Sequence, residues 1–185
     1  MQKQHQGPPA RMTEANLAEA AASYLARYAS SSGNLRRVLV RKVKRSAAHY
    51  GDAEGPLLAG IEAIVRRFLA NGAVDDRHYA QNQIQKLRGR GASARKIAER
   101  LMLKGVPRET IEETSDGPAS VAGDLEAALR YARRRRLGPF RAADRDLHRQ
   151  RDLAALGRAG FDYTVSATLI DAPDAESAVA ALEQR

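Results

Sequence analysis

Between Thr13 and Leu169 the apolar residues recur three and four positions apart, and no segment alternates apolar with polar as a half-buried strand requires. That periodicity restricts the chain to helices with one apolar face. Leu17, Ala20, Ala21, Tyr24, Leu25 and Tyr28 mark a first helix behind Thr13 as N-cap, and Ser30-Ser31-Ser32-Gly33 breaks it. Leu35, Val38, Leu39 and Val43 mark a second, beginning near Asn34. A polar link over 46–56 follows, and Pro56 suits the first turn of a third helix carrying Leu57, Leu58, Ile61, Ile64, Val65, Phe68 and Leu69. Asn71-Gly72 ends it.

Asp75 as N-cap places Val74 and Tyr79 as an apolar staple across the start of the next helix. Gly89-Arg90-Gly91 stops that helix, and Ser93 caps another whose core side is Ala94, Ile97, Ala98 and Leu101. Gly105 ends it and Pro107 starts a short helix with Ile111. Asp116-Gly117-Pro118 is the clearest punctuation in the second half. Leu125, Ala128, Leu129 and Ala132 mark a further helix, stopped by Gly138-Pro139. Leu153 and Leu156 mark one over 144–159, and Val165 and Leu169 a last one before Pro173. About nine short helices result; each is marginal alone and must gain stability from its neighbours.

Leu101-x-x-x-Gly105-Val106 recurs as Leu156-x-x-x-Gly160-Phe161, each followed by a helix-starting residue and an apolar one a turn later. The expected fold class is therefore all-α, with tandem three-helix repeats over 13–72, 73–115 and 121–171 in an elongated, curved arrangement. Residues 1–12 read as a disordered N-terminal extension and 172–185 as a tail with a frayed turn or two.

The chain has no Cys, which excludes disulfides, thiol catalysis and Cys-based metal sites. No apolar run is long enough to span a bilayer, and the first residues lack the apolar stretch of a signal peptide, so a cytoplasmic location and no membrane partner are expected. The four His residues share no short spacing, Asp75-Asp76 suits capping better than acid–base chemistry, and no phosphate-cradling loop is present. No catalytic residue, metal ligand or cofactor site is expected.

The informative signal is charge. Lys and Arg total 31 against 22 acidic residues. Windows 34–45, 86–104 and 130–151 hold 22 of those basic residues and three of the acidic ones, so the rest of the chain is acidic. Such segregation exceeds what solubility needs and points to a polyanionic partner. With six Tyr, three Phe and no Trp, contacts to phosphates or protein are favoured over base stacking. Candidate DNA-binding residues are Arg133, Arg134, Arg135, Arg136 and Arg141, with Arg36, Arg37, Arg41, Lys44 and Arg45 on the second helix. Arg95, Lys96, Arg100 and Lys104 are candidates for a protein partner. A solvated helix end is the plain alternative for 133–136, because cations there also favour the helix dipole.

Gly72-Ala73-Val74-Asp75-Asp76-Arg77-His78-Tyr79-Ala80, then Gly89-Arg90-Gly91, then the stretch from Ile97 through Leu101 to Gly105-Val106, resemble the RecX family of regulatory proteins. Tyr24-Leu25-Ala26-Arg27-Tyr28, Asn34-Leu35 and the Leu156-x-x-x-Gly160-Phe161 ending also fit, so the resemblance covers about 13–170. It departs at Leu39, which lacks a following Gly, at the 46–56 link, and in the Arg-rich stretch 133–151. The resemblance implies tandem three-helix repeats and binding to the RecA–single-stranded DNA filament; a monomer is expected. It implies inhibition of filament extension, ATPase, strand exchange and coprotease activities, and a place in DNA repair, recombination and the SOS response. It also implies direct affinity for single-stranded DNA, with double-stranded DNA as a second form. A stand-alone DNA- or RNA-binding protein using one helix-turn-helix is the competing reading, though one recognition helix would not need three basic units.

Overall fold

Capped turns join ten α-helices in the computed structural model, which describes residues 7–114 and 119–183. They are α1 (Glu14–Leu25), α2 (Ser32–Tyr50), α3 (Gly55–Ala70), α4 (Asp76–Arg88), α5 (Ala94–Leu103), α6 (Arg108–Thr114), α7 (Ala119–Arg135), α8 (Arg145–Arg158), α9 (Tyr163–Ile170) and α10 (Ala175–Glu183), with a 3-10 turn at Gly138–Phe140. Helix is the only regular structure among the described residues, as the periodicity requires. None of these helices is long and apolar enough to cross a membrane. Helices α1–α3 fall within 13–72, α4–α6 within 73–115, and α7–α9 within 121–171 apart from the start of α7. The chain packs as two units: Met1–Tyr79 with Lys104–Pro107, and Ala80–Leu103 with Arg108–Arg185.

In the first unit, α1, α2 and α3 pack on one another. Leu17, Leu35, Leu39, Val43, Ile61 and Val65 meet in a shared core, as their helical spacing demands. Thr13 caps α1 in a reciprocal box with Asn16. Helix α2 begins two residues before the expected Asn34, because Ser31 caps it through the Asn34 N–H. It also runs to Tyr50, well into the stretch expected as a polar link, and ends at Gly51 in left-handed geometry. Ser46 explains the extension: it is buried and its hydroxyl accepts from the Met12 N–H at 2.8 Å. Met12 is 5% exposed and belongs to the core, so the expectation of a disordered 1–12 does not hold at Met12. The Tyr50 hydroxyl donates to Pro9 O at 2.7 Å, and Arg11 pairs with Asp52. Residues 1–6 of that extension lie outside the described residues.

Gly33 is not a helix breaker. It lies in the first turn of α2, donates its N–H to Gly105 O at 3.2 Å, and a Cβ on it would meet the Gly105 backbone. Gly105 has φ 78°, and a Cβ there would lie 2.9 Å from Asn34 N. Two glycines are thus needed for one close backbone approach.

In the second unit, α9 packs on α7 and α8, with α10 against α7 and α9. The core gathers Leu125, Ala128, Leu129, Ala132, Leu153, Leu156, Phe161, Val165 and Leu169. Asp162 caps α9 through the Val165 N–H at 2.8 Å. The expected frayed tail is instead a tenth helix: Asp174 accepts from the Ser177 N–H at 2.7 Å, and Ala178 is fully buried. The Asp116-Gly117-Pro118 punctuation lies outside the described residues.

Candidate nucleic-acid interface

Helix α7 positions the strongest basic run. Its buried residues Leu125, Ala128, Leu129 and Ala132 fix one face to the core, so Arg133, Arg134, Arg135 and Arg136 emerge exposed at its C-terminal end. The run is ordered by aromatic rings. The Arg133 guanidinium lies 5.5 Å from the Phe140 ring centre, and those of Arg134 and Arg135 lie 5.9 and 5.5 Å from the Tyr131 ring centre. Tyr131 is held in turn by edge contact with Phe161 at 6.0 Å.

The α7 end is formed by two backbone bonds, from the Arg136 N–H to Arg133 O at 3.3 Å and from the Leu137 N–H to Ala132 O at 3.0 Å. This pairing turns the chain through a left-handed residue, normally Gly. Here that residue is Arg136, with φ 54°.

Two clefts flank this end. The first, of about 470 Å³, is lined by Arg90, Lys96, Arg134, Arg135 and Arg158 around Tyr131. Gly91, with φ 76°, lets the α4–α5 turn run against α7; a Cβ there would lie 3.1 Å from Ala127 O. Arg134 Nη1 donates to Arg90 O at 3.1 Å, which ties the turn to the run. Ser93 caps α5 through the Lys96 N–H and donates to Ala159 O at 2.9 Å. Asp124 on α7 accepts from the Ala94 N–H at 2.7 Å and pairs with Arg88. Lys96 is so brought to the cleft, and its Nζ pairs with Glu99, which is not among the lining residues, at 2.7 Å.

The second cleft, also about 470 Å³, is lined by Arg135, Arg136, Arg141, Arg151 and Arg158, with Asp152 as its acidic member. Tyr131, Arg135, Ala155 and Arg158 line both clefts. Asp152 is 1% exposed. It accepts from the Gly138 N–H at 2.9 Å and from Arg141 Nη2 at 2.7 Å. Burial opposes its charge, yet the Arg141 and Gly138 hydrogen bonds hold its carboxyl below the usual carboxylate range. Arg141 is therefore committed to an internal pair as well as to the cleft wall.

The other candidates divide. Arg36 pairs with Glu62, its Nη2 donating at 2.9 Å, and hydrogen bonding from Arg36 lowers the Glu62 carboxyl. Arg37, Arg41, Lys44 and Arg45 are exposed on α2 in the first unit. Of the four candidates for a protein partner, Lys96 lines the first cleft and Arg95 Nη2 donates to Gly157 O at 3.1 Å. Arg100 is exposed on α5, and Lys104 is exposed in the first unit. Arg90 and Arg158 are cleft residues that the sequence did not single out. Arg90 sits between two glycines read only as a helix stop, and Arg158 lies outside every basic window. Among the described residues, no group of three or more His, Asp or Glu could hold a metal.

Fold and clefts together define a helical protein with a cation-lined surface track. Residues 75–114 match the family model described as the RecX second three-helix domain, a stretch that holds α4, α5 and α6. The chain is 41% identical over 173 residues to the regulatory protein RecX of Myxococcus xanthus, covering 91% of this chain and 92% of that protein. It is 31% identical to the regulatory protein RecX of Agrobacterium fabrum, over 74% of this chain and 71% of that one. For a protein of the same name from Thermus thermophilus the identity is 35%, over 62% and 72%. No solved structure matches the chain. The chain belongs to the RecX family of regulatory proteins.

Proposed function

We propose that this protein binds the filament that RecA recombinase forms on single-stranded DNA and, as a cytoplasmic monomer, lowers its extension, ATP hydrolysis, strand exchange and coprotease activity. The observation that carries this reading is the pair of joined clefts, where cations from the α4–α5 turn, α5, α7 and α8 converge. A track of this kind suits the phosphates of a strand. Membership in a family of regulatory proteins supports regulation rather than catalysis. In this reading the stretches 13–72, 73–115 and 121–171 are repeats of one design. Arg133, Arg134, Arg135, Arg136 and Lys96 face DNA, joined by Arg37, Arg41, Lys44 and Arg45 on α2. Arg95, Arg100 and Lys104 face the recombinase. The test is ATP hydrolysis by recombinase filaments, at a salt concentration where this protein alone does not hold DNA. Hydrolysis falls as the protein is added, and changing Arg95, Arg100 and Lys104 to Gln weakens the effect. An unaltered rate counts against the proposal.

A further inference from the structure

The two clefts share a wall. Arg135 and Arg158 stand on that wall, with Arg90, Lys96 and Arg134 on one side and Arg136, Arg141 and Arg151 on the other. The first cleft has no acidic lining residue, and the acidic member of the second is internally neutralised by Arg141. Each has the size of a small-molecule pocket. A duplex presents its phosphates on a convex cylinder whose grooves admit protein elements, not the reverse, and cannot lower them into hollows of this size. A single strand bends freely and can. The cations are also held in place before any ligand arrives. Tyr131 lies against Arg134 and Arg135, and Arg134 is tied to Arg90 O.

We infer that the joined clefts seat consecutive phosphates of one single strand, with Arg135 and Arg158 shared between neighbouring phosphates and Tyr131 positioning the arginines. This rests on the reading of the clefts as a DNA contact, and adds strand selectivity, phosphate spacing and the residues Arg90, Arg151, Arg158 and Tyr131. Lys96 serves the strand in it.

The test uses the full chain and a short labelled oligothymidylate, with no recombinase present. Affinity is read by fluorescence anisotropy across salt concentrations. The variant Arg90→Gln/Arg158→Gln removes one cation from the first cleft and one from the shared wall. With two phosphates no longer neutralised, the log–log salt slope flattens by about 1.4, so the gap to the parent narrows about sevenfold between 50 and 200 mM salt. The control Arg66→Gln/Arg67→Gln removes equal charge from α3 and keeps the parent slope. Tyr131→Leu weakens binding but keeps the slope, because every cation remains. Circular dichroism matching the parent shows that each variant is folded. The inference is overturned if the parent does not bind the oligonucleotide, or if the α3 control flattens the slope as much as the cleft variant. It is also overturned if a duplex of equal length competes as well as the strand, or if inorganic triphosphate does, which would make the clefts small-anion sites. A parent that binds the strand through the clefts yet leaves recombinase ATPase untouched sinks the regulatory proposal and leaves the seat standing.

Discussion

Replacing Arg136 by Gly separates two properties that this residue joins. Its backbone sits at φ 54°, in the position that closes the end of α7 through the Leu137 to Ala132 bond. An L side chain in left-handed geometry costs about 1 kcal/mol relative to Gly. Losing a cation from a helix C-terminus costs about 0.3 kcal/mol where it is exposed to solvent. The net gain of about 0.7 kcal/mol raises the melting temperature by about 2 °C for a chain of this size. Binding moves the other way: one phosphate is left without its cation, and the salt slope on single-stranded DNA flattens by about 0.7. Arg136→Gln separates charge from strain, giving the same binding loss with no stability gain. The assays are thermal unfolding by circular dichroism and anisotropy titration with an oligothymidylate. A lower melting temperature for the Gly variant would refute the account of the helix end. Unchanged DNA binding by both variants would remove Arg136 from the strand track.

Gly160→Val should destabilise by about 2 kcal/mol or more, since φ is 95° and the new side chain would press on Ser93 Oγ and lie 3.2 Å from Lys96 Cγ; calorimetry on the variant checks it. Asp152→Asn should lower stability at neutral pH, because it removes the buried carboxylate that accepts from Arg141 and from the Gly138 N–H. The Asp152 carboxyl is lowered in the folded chain, so its stabilisation is complete above about pH 4 and fades as pH falls further. Melting temperature against pH should therefore fall more steeply for the parent than for Asp152→Asn below that point; parallel curves would contradict the assignment.

Most helices were legible because one-face periodicity leaves few alternatives, and because Thr13, Asp75, Ser93 and Asp162 announce their starts. Gly105, read as a helix end, and Gly160, its counterpart in the repeated pattern, both have positive φ. What escaped depended on partners distant in sequence. The extension of α2 past Ser46 rests on Met12, and the true role of Gly33 on Gly105. The helix at Ala175–Glu183 rests on burial of Ala178, which no local pattern reveals. The basic windows showed which segments carry charge but not which residues converge. Lys96 and Arg134 stand far apart in sequence and meet because Gly91 lets a turn run against α7. Arg141 looked like part of a binding run, whereas its buried partner Asp152 is visible only in the packed structure.

The central claim is that the partner is the assembled filament rather than free DNA. Labelled protein, titrated with recombinase alone, with single-stranded DNA alone, and with the filament formed from both, tests it most directly when the salt is high enough to suppress binding to bare DNA. The account predicts that binding to the filament persists under those conditions while binding to each component alone is lost, and that Arg95, Arg100 and Lys104 changed to Gln weaken it. Binding that follows free DNA at every salt concentration, with no retention on the filament, would contradict it.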